Sequence, residues 1–178
     1  MKKTEHFVLQ DTQCKDKGKT NHLTAAGNYI IDRKHSTIIH LGDHWDMPSL
    51  SSWDVGKKSF EGRRYKDDIE SGIKGLETFL APIRAEQKRL AENKKKRWNP
   101  RLVFTLGNHE QRIERAIESD AKLEGLIGYA DLKLDERGWE GYDVVEVCVI
   151  AGMAVWRGGG WGRGGAIATQ CACLRGHP

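Results

Sequence analysis

Two stretches decide the fold: Thr37-Ile38-Ile39-His40-Leu41-Gly42-Asp43-His44-Trp45-Asp46 and Leu102-Val103-Phe104-Thr105-Leu106-Gly107-Asn108-His109-Glu110. Each is a short apolar run that stops at a glycine and then presents polar side chains. A β-branched run of that length, ended by a turn, reads as a buried strand leading into a loop. Between them the spacing predicts a helix over 64–96. Ile69, Ile73, Leu76, Leu80, Ile83 and Leu90 recur there every three, four or seven residues, forming one apolar stripe. Pro82 is expected to kink that helix, and Lys94-Lys95-Lys96-Arg97 suits its C-terminal end.

Working outward, Phe7 to Leu9 is a third apolar run, ending at Asp11-Thr12-Gln13. A helix is expected over 23–33, with Leu23, Ala26, Tyr29 and Ile30 on one face. Another is expected over 110–118, and a further strand over 143–150. Strands alternating with helices give an α/β fold, in which sites form outside the carboxyl ends of the strands. Residues 152–165 break the pattern: seven of fourteen are glycine, which suits neither strand nor helix.

At 178 residues, with 38% hydrophobic and 30% charged side chains, the chain has enough material for one globular domain. No apolar run approaches a membrane span, and the first residues lack a leader's apolar core, so a cytoplasmic protein without a membrane partner is expected. The net charge of +4 names no partner by itself. Cys14, Cys148, Cys171 and Cys173 read as free thiols in a cytoplasmic chain.

Three clusters carry the chemistry: Asp11-Thr12-Gln13, Gly42-Asp43-His44-Trp45-Asp46 and Gly107-Asn108-His109-Glu110. Each follows an expected strand and offers oxygen or imidazole donors. Such donors suit divalent Mn, Fe, Zn or Ni, and a carboxylate can bridge two ions about 3.5–4 Å apart. Alone, Asp11 is equally a turn former; the joint occurrence at three strand ends points to a site.

These blocks resemble the first three signatures of the calcineurin-like metallophosphoesterases: Asp11-x-Gln13, Gly42-Asp43-x-x-Asp46 and Gly107-Asn108-His109-Glu110. The likeness covers about residues 6–147 and is nearest to the small members carried by bacteriophages. It implies an α/β sandwich of two β-sheets flanked by helices, with two divalent metal ions between the sheets. The expected division is a metallophosphoesterase domain over 1–150 and a Gly-rich, atypical or truncated tail over 151–178. By resemblance, Asp11 and Gln13 bind one ion, Asp43 bridges both, and Asn108 binds the second. His109 acts on the leaving oxygen, and Asp46 orients the catalytic groups. His44, Asn108 and His109 are expected to face substrate; His44 and Trp45 could equally pack beneath the cleft. Glu110 is either an orienting residue or an acid at a helix start.

The implied reaction is hydrolysis of a phosphate ester, with a metal-bridging hydroxide attacking phosphorus. The sequence also departs from the family. Position 13 is usually His, and the later single His and Gly-His-x-His blocks are missing; His177 is the one histidine after Glu110. The sandwich is therefore expected to be C-terminally incomplete and its activity impaired. Two other readings stay open. One is a DNA nuclease of the same fold, guided by the basic residues 94–97 and a stacking Trp98. The other is an inactive remnant that only binds. His40 is expected in the core, and His22 and His35 in solvent.

Overall fold

The apolar runs of the two deciding stretches become neighbouring parallel strands. The computed structural model describes residues 5–143 and, as strands only, 148–150, 153–157 and 169–173. Four strands form one parallel sheet: β1 (His6–Leu9), β2 (Thr37–His40), β3 (Arg101–Thr105) and β4 (Trp139–Tyr142), side by side in that order. The register sets Phe7 against Ile38, Ile38 against Leu102 and Phe104 against Gly141. Every residue of β2 is buried, as a strand covered on both faces requires. A second sheet is antiparallel: β5 (Cys148–Ile150), β6 (Met153–Arg157) and β7 (Thr169–Cys173).

Two helices connect the first three strands. Helix α1 (Asn21–Arg33) joins β1 to β2, and α2 (Tyr65–Glu92) lies between β2 and β3. Leu23 and Ile30 of α1, and Leu76, Phe79, Leu80 and Ile83 of α2, form one core with Ile38 and Phe104 from the sheet. Full burial of each such side chain contributes about 1.5–3 kcal/mol. Ile39, Leu41 and Val103 point to the other face and form a separate cluster with Tyr142. Helix α3 (Arg112–Ser119) follows β3.

Several expectations need correction. Helix α2 stops at Glu92, not 96: Asn93 donates its side-chain amide to the Arg89 carbonyl, and Lys94 turns left-handed at φ 50°. Pro82, where a kink is expected, lies inside α2 with its ring over Gly27 of α1. Strand β4 was not expected, because Trp139-Glu140-Gly141-Tyr142 has no apolar run; it is an edge strand. Part of the 152–165 stretch is a strand after all, β6, and two of its residue types, Val155 and Trp156, favour strands. The rest, with Trp161 and His177, lies outside the described residues. His35 is buried rather than solvated, packed against Phe7 and Tyr29. Among the described residues no helix is long and apolar enough to cross a membrane.

The basic run is also misplaced as a track beside the site. Trp98 donates its indole N–H to the His35 carbonyl, and Lys34 lies over its ring. The Arg101 N–H donates to Ser36. These contacts hold residues 94–98 near the amino ends of β2 and β3. The candidate site lies at the carboxyl ends, one strand length away. Trp98 is a packing residue.

Candidate functional site

Parallel neighbours put their carboxyl ends on one edge, so the loops after β1, β2 and β3 meet there. The first two run side by side. Asp11 N–H donates to Gly42 at 3.2 Å, Gln13 N–H to Asp43 at 3.0 Å, and Asp46 N–H to Cys14 at 3.0 Å. The third joins them through Asp43, whose Oδ1 accepts the His109 N–H at 3.0 Å. The approach of the second and third loops needs glycine. A Cβ on Gly42, at φ +78°, would lie 2.4 Å from Gly107 N, and one on Gly107 would lie 2.2 Å from Asp43 Oδ1.

Asp11, Gln13 and Asp43 all sit at positive φ, 52°, 41° and 52°. Outside glycine this conformation is uncommon, tolerated best by Asp and Asn, and concentrated at functional sites. Asp43 is buried; Asp11 and Gln13 are exposed. Asn108 Oδ1 is buried without a hydrogen-bond partner among the described residues. A buried carbonyl oxygen left so is costly unless something else fills its lone pairs.

Glu110 is the scaffold of the site. It is fully buried. Its Oε1 accepts the N–H groups of His44 at 2.7 Å and Trp45 at 3.0 Å. Its Oε2 accepts those of Asp43 at 2.9 Å and Gly107 at 2.8 Å. Burial pushes its carboxyl above the usual range, against the opposing pull of the Trp45, Gly107 and Asp43 N–H donors. Of the two sequence readings, the orienting one fits; no position remains on this carboxylate for substrate.

His109 and Asp46 form the polar pair beside it. His109 Nδ1 lies 3.0 Å from the Asp46 carbonyl and 3.2 Å from Asp46 Oδ1. Asp46 Oδ2 also meets Lys15 at 3.4 Å. Burial opposes the His109 imidazolium, but the Asp46 hydrogen bond and the nearby Asp43 charge outweigh it, so its pKa is raised. The same His109 bond, helped by Lys15, holds Asp46 below the usual carboxylate range.

The expectation that His44 faces substrate is corrected. Its ring is fully buried, and both nitrogens are used within the protein. Gly42 N–H donates to His40 Nδ1 at 3.1 Å, which leaves the His40 proton on Nε2, 3.0 Å from Thr12 Oγ1. The Thr12 hydroxyl donates to His44 Nδ1 at 2.6 Å, and His44 Nε2–H donates to the Gly72 carbonyl at 2.8 Å. The donor and acceptor count of this chain assigns both rings their Nε2–H tautomer. Burial lowers the His44 pKa to about 4, so it stays neutral. Trp45 packs beneath the loop and donates to the Ile69 carbonyl. His40 is a core histidine stacked on Phe104, as expected.

The sequence reading missed Arg112, on the first turn of α3. Its Nη1 donates to the carbonyls of Asp46 at 2.7 Å and Met47 at 3.1 Å; Nη2 lies 3.5 Å from His109 Nε2. The signal was its place three residues after His109, one helical turn onward. It lies between two clefts. One, of about 520 Å³, includes Lys15, Asp46, Arg63 and Asp68; the other, of about 570 Å³, includes Asn108, Trp53 and Arg115. Neither cleft is lined by Asp11 or Asp43.

The metal expectation can be tested against these donors. Among the described residues there is no group of three or more His, Cys, Asp or Glu side chains that could hold a metal. The side chains on the three adjoining loops are two carboxylates, Asp11 and Asp43, and the carboxamides of Asn108 and Gln13. Oxygen donors of this kind suit a hard divalent cation such as Mn better than one that wants imidazole, and Asn108 Oδ1 is buried without a partner among the described residues.

The chain is 29% identical over 124 residues to the Gene 54 protein of Mycobacterium phage D29, covering 70% of this chain and 42% of that protein. It is 35% identical over 77 residues to the Gene 54 protein of Mycobacterium phage L5, covering 43% of this chain and 29% of that protein. It thus spans less than half the length of these curated relatives. No family model and no solved structure matches it.

Proposed function

We propose that the chain is a metal-dependent phosphoesterase whose two sheets form a metallophosphoesterase-type sandwich. The observation that carries the reading is the meeting of Asp11 and Asp43, both left-handed, with the loop that holds the unpartnered Asn108 Oδ1. In this reading Asp11, Gln13, Asp43 and Asn108 would hold two divalent ions. Bound, they supply Lewis acidity toward phosphoryl oxygens.

The chain's own residues do the rest. Asp46 holds His109 by Nδ1; Nε2, 3.5 Å from Arg112 Nη2, is the nitrogen that would give a proton to the leaving oxygen once the phosphoryl group takes over the Arg112 donor. Arg112, next to Nε2, binds a phosphoryl oxygen and places the ester against His109. Glu110 keeps the two loops in register and touches no substrate. The phage origin of the two similar proteins agrees with the family resemblance. The position of the basic run, at the far edge of the sheet, removes the specific support for a DNA track.

The test is hydrolysis of bis-p-nitrophenyl phosphate with Mn. Turnover is expected, and loss of it in Asp43→Asn and His109→Ala. A folded chain with no turnover in Mn, Fe, Zn or Ni overturns the proposal.

A further inference from the structure

The cleft of about 570 Å³ beside Asn108 has two unlike walls. One is apolar: Trp53, Val55, Leu50 and Phe60 from the turns after the second loop. Trp53 is 83% exposed and Val55 69% exposed. The other wall is the face of α3 carrying Arg112 and Arg115. Arg115 donates to the carbonyls of Gln111 and Asn108, and Arg112 to those of Asp46 and Met47. Neither arginine has a carboxylate within ion-pair distance among the described residues, whereas Arg63, Arg101 and Arg137 each do. Two guanidinium groups held by carbonyls keep their full charge for an anion. Glu118 is the cleft's lone acid.

We infer that this cleft takes the nucleoside part of the substrate, so that the esters hydrolysed are nucleotide esters. The inference rests on the phosphoesterase reading and adds the substrate class. A nucleotide matches both kinds of lining: the base stacks on Trp53, and the phosphate meets Arg112 and Arg115, beside Asn108. Every base has a π-face, so stacking selects for the presence of a base rather than for one base. The volume suits a single nucleotide-sized ligand. The cleft is separate from the basic residues 94–97, so one nucleotide, not a long strand, is the unit recognised.

The test compares AMP with ribose 5-phosphate by calorimetry on the whole chain in EDTA, where no turnover interferes. AMP is expected to bind at least about tenfold tighter, or about 1.4 kcal/mol. Trp53→Ala is expected to erase that preference while leaving ribose 5-phosphate binding unchanged. Arg115→Gln is expected to weaken both ligands several-fold. Trp53 is exposed, so its removal leaves the fold intact. Equal affinities in the unmodified chain, or a preference that survives Trp53→Ala, overturns the inference. Turnover of bis-p-nitrophenyl phosphate without base preference removes the nucleoside cleft alone. Base preference without turnover upholds the cleft and removes the hydrolase.

Discussion

The Glu110 carboxylate accepts the backbone N–H of Asp43 at 2.9 Å, while the Asp43 carboxylate accepts the backbone N–H of His109, the neighbour of Glu110, at 3.0 Å. The second and third loops thus hold each other by reciprocal side-chain-to-backbone bonds. Because Glu110 also satisfies His44, Trp45 and Gly107, its removal leaves four buried N–H groups without an acceptor. Glu110→Ala is expected to cost about 3–5 kcal/mol of unfolding free energy, the scale for breaking a buried charged network. Glu110→Gln keeps one acceptor oxygen but turns a donor toward the other N–H pair, so it should recover little. Urea denaturation measures both; a loss under about 1 kcal/mol would show that water replaces the carboxylate.

The His109–Asp46 pair predicts a pH window. His109 has a raised folded pKa, so its contribution is complete below its ordinary value of 6.5 and fades as pH rises through the folded value. Asp46 has a lowered folded pKa, so its contribution is complete above its ordinary value of 3.8 and fades as pH falls through the folded value. The pair therefore stabilises most between about pH 4 and 6.5. Asp46→Asn should lower stability in that window by about 0.5–1.5 kcal/mol, the worth of one hydrogen bond. Its effect should shrink above the His109 transition. In the same variant the His109 ring, followed by NMR, should titrate at lower pH. An unmoved titration would mean that Asp46 does not set this imidazole.

The strand ends were legible because β2 and β3 each carry an apolar centre, Ile38-Ile39 and Leu102-Val103-Phe104, followed within a few residues by a glycine turn. β4 was not, because Glu140 and Gly141 at the sheet edge answer to solvent and carry no pattern. Asp11, Asp43 and Asn108 could be placed by the loop that each follows. Which histidine faces substrate could not. His44 and His109 each occupy the second position after a glycine in their block. Only tertiary contacts separate them: His44 is fully buried between Thr12 and the Gly72 carbonyl, while His109 is half-buried, with Asp46 at Nδ1 and Arg112 3.5 Å from Nε2. Trp53 was equally silent, because it shares a cleft with Arg112 and Arg115 only through the meeting of distant segments.

Thr12 bridges two buried imidazoles, accepting from His40 and donating to His44. Valine has nearly the same shape and neither capacity. Thr12→Val should leave two ring nitrogens buried and unpaired, at a cost of about 2–4 kcal/mol, while Thr12→Ser should cost about 1 kcal/mol or less. Thermal unfolding of the three proteins checks the order. A valine variant as stable as the serine one would mean that the hydroxyl carries no structural bond here.

Asn108 separates a structural role from a ligand role. Its Oδ1 is buried and makes no bond within the described chain, so Asn108→Ala should not lower stability in EDTA. With Mn the outcome should differ. A ion bound only by the folded state raises stability by RT ln(1 + [L]/Kd), about 2.7 kcal/mol at a hundredfold excess over Kd. The unmodified chain should therefore melt higher when Mn is added, and Asn108→Ala should lose most of that rise. Asp43→Asn should lose it too, though at some cost in EDTA, because the Asp43 side chain also accepts the His109 N–H. If Mn raises the melting point equally in all three proteins, the ion binds elsewhere and the oxygen set gathered at the strand ends is not its site.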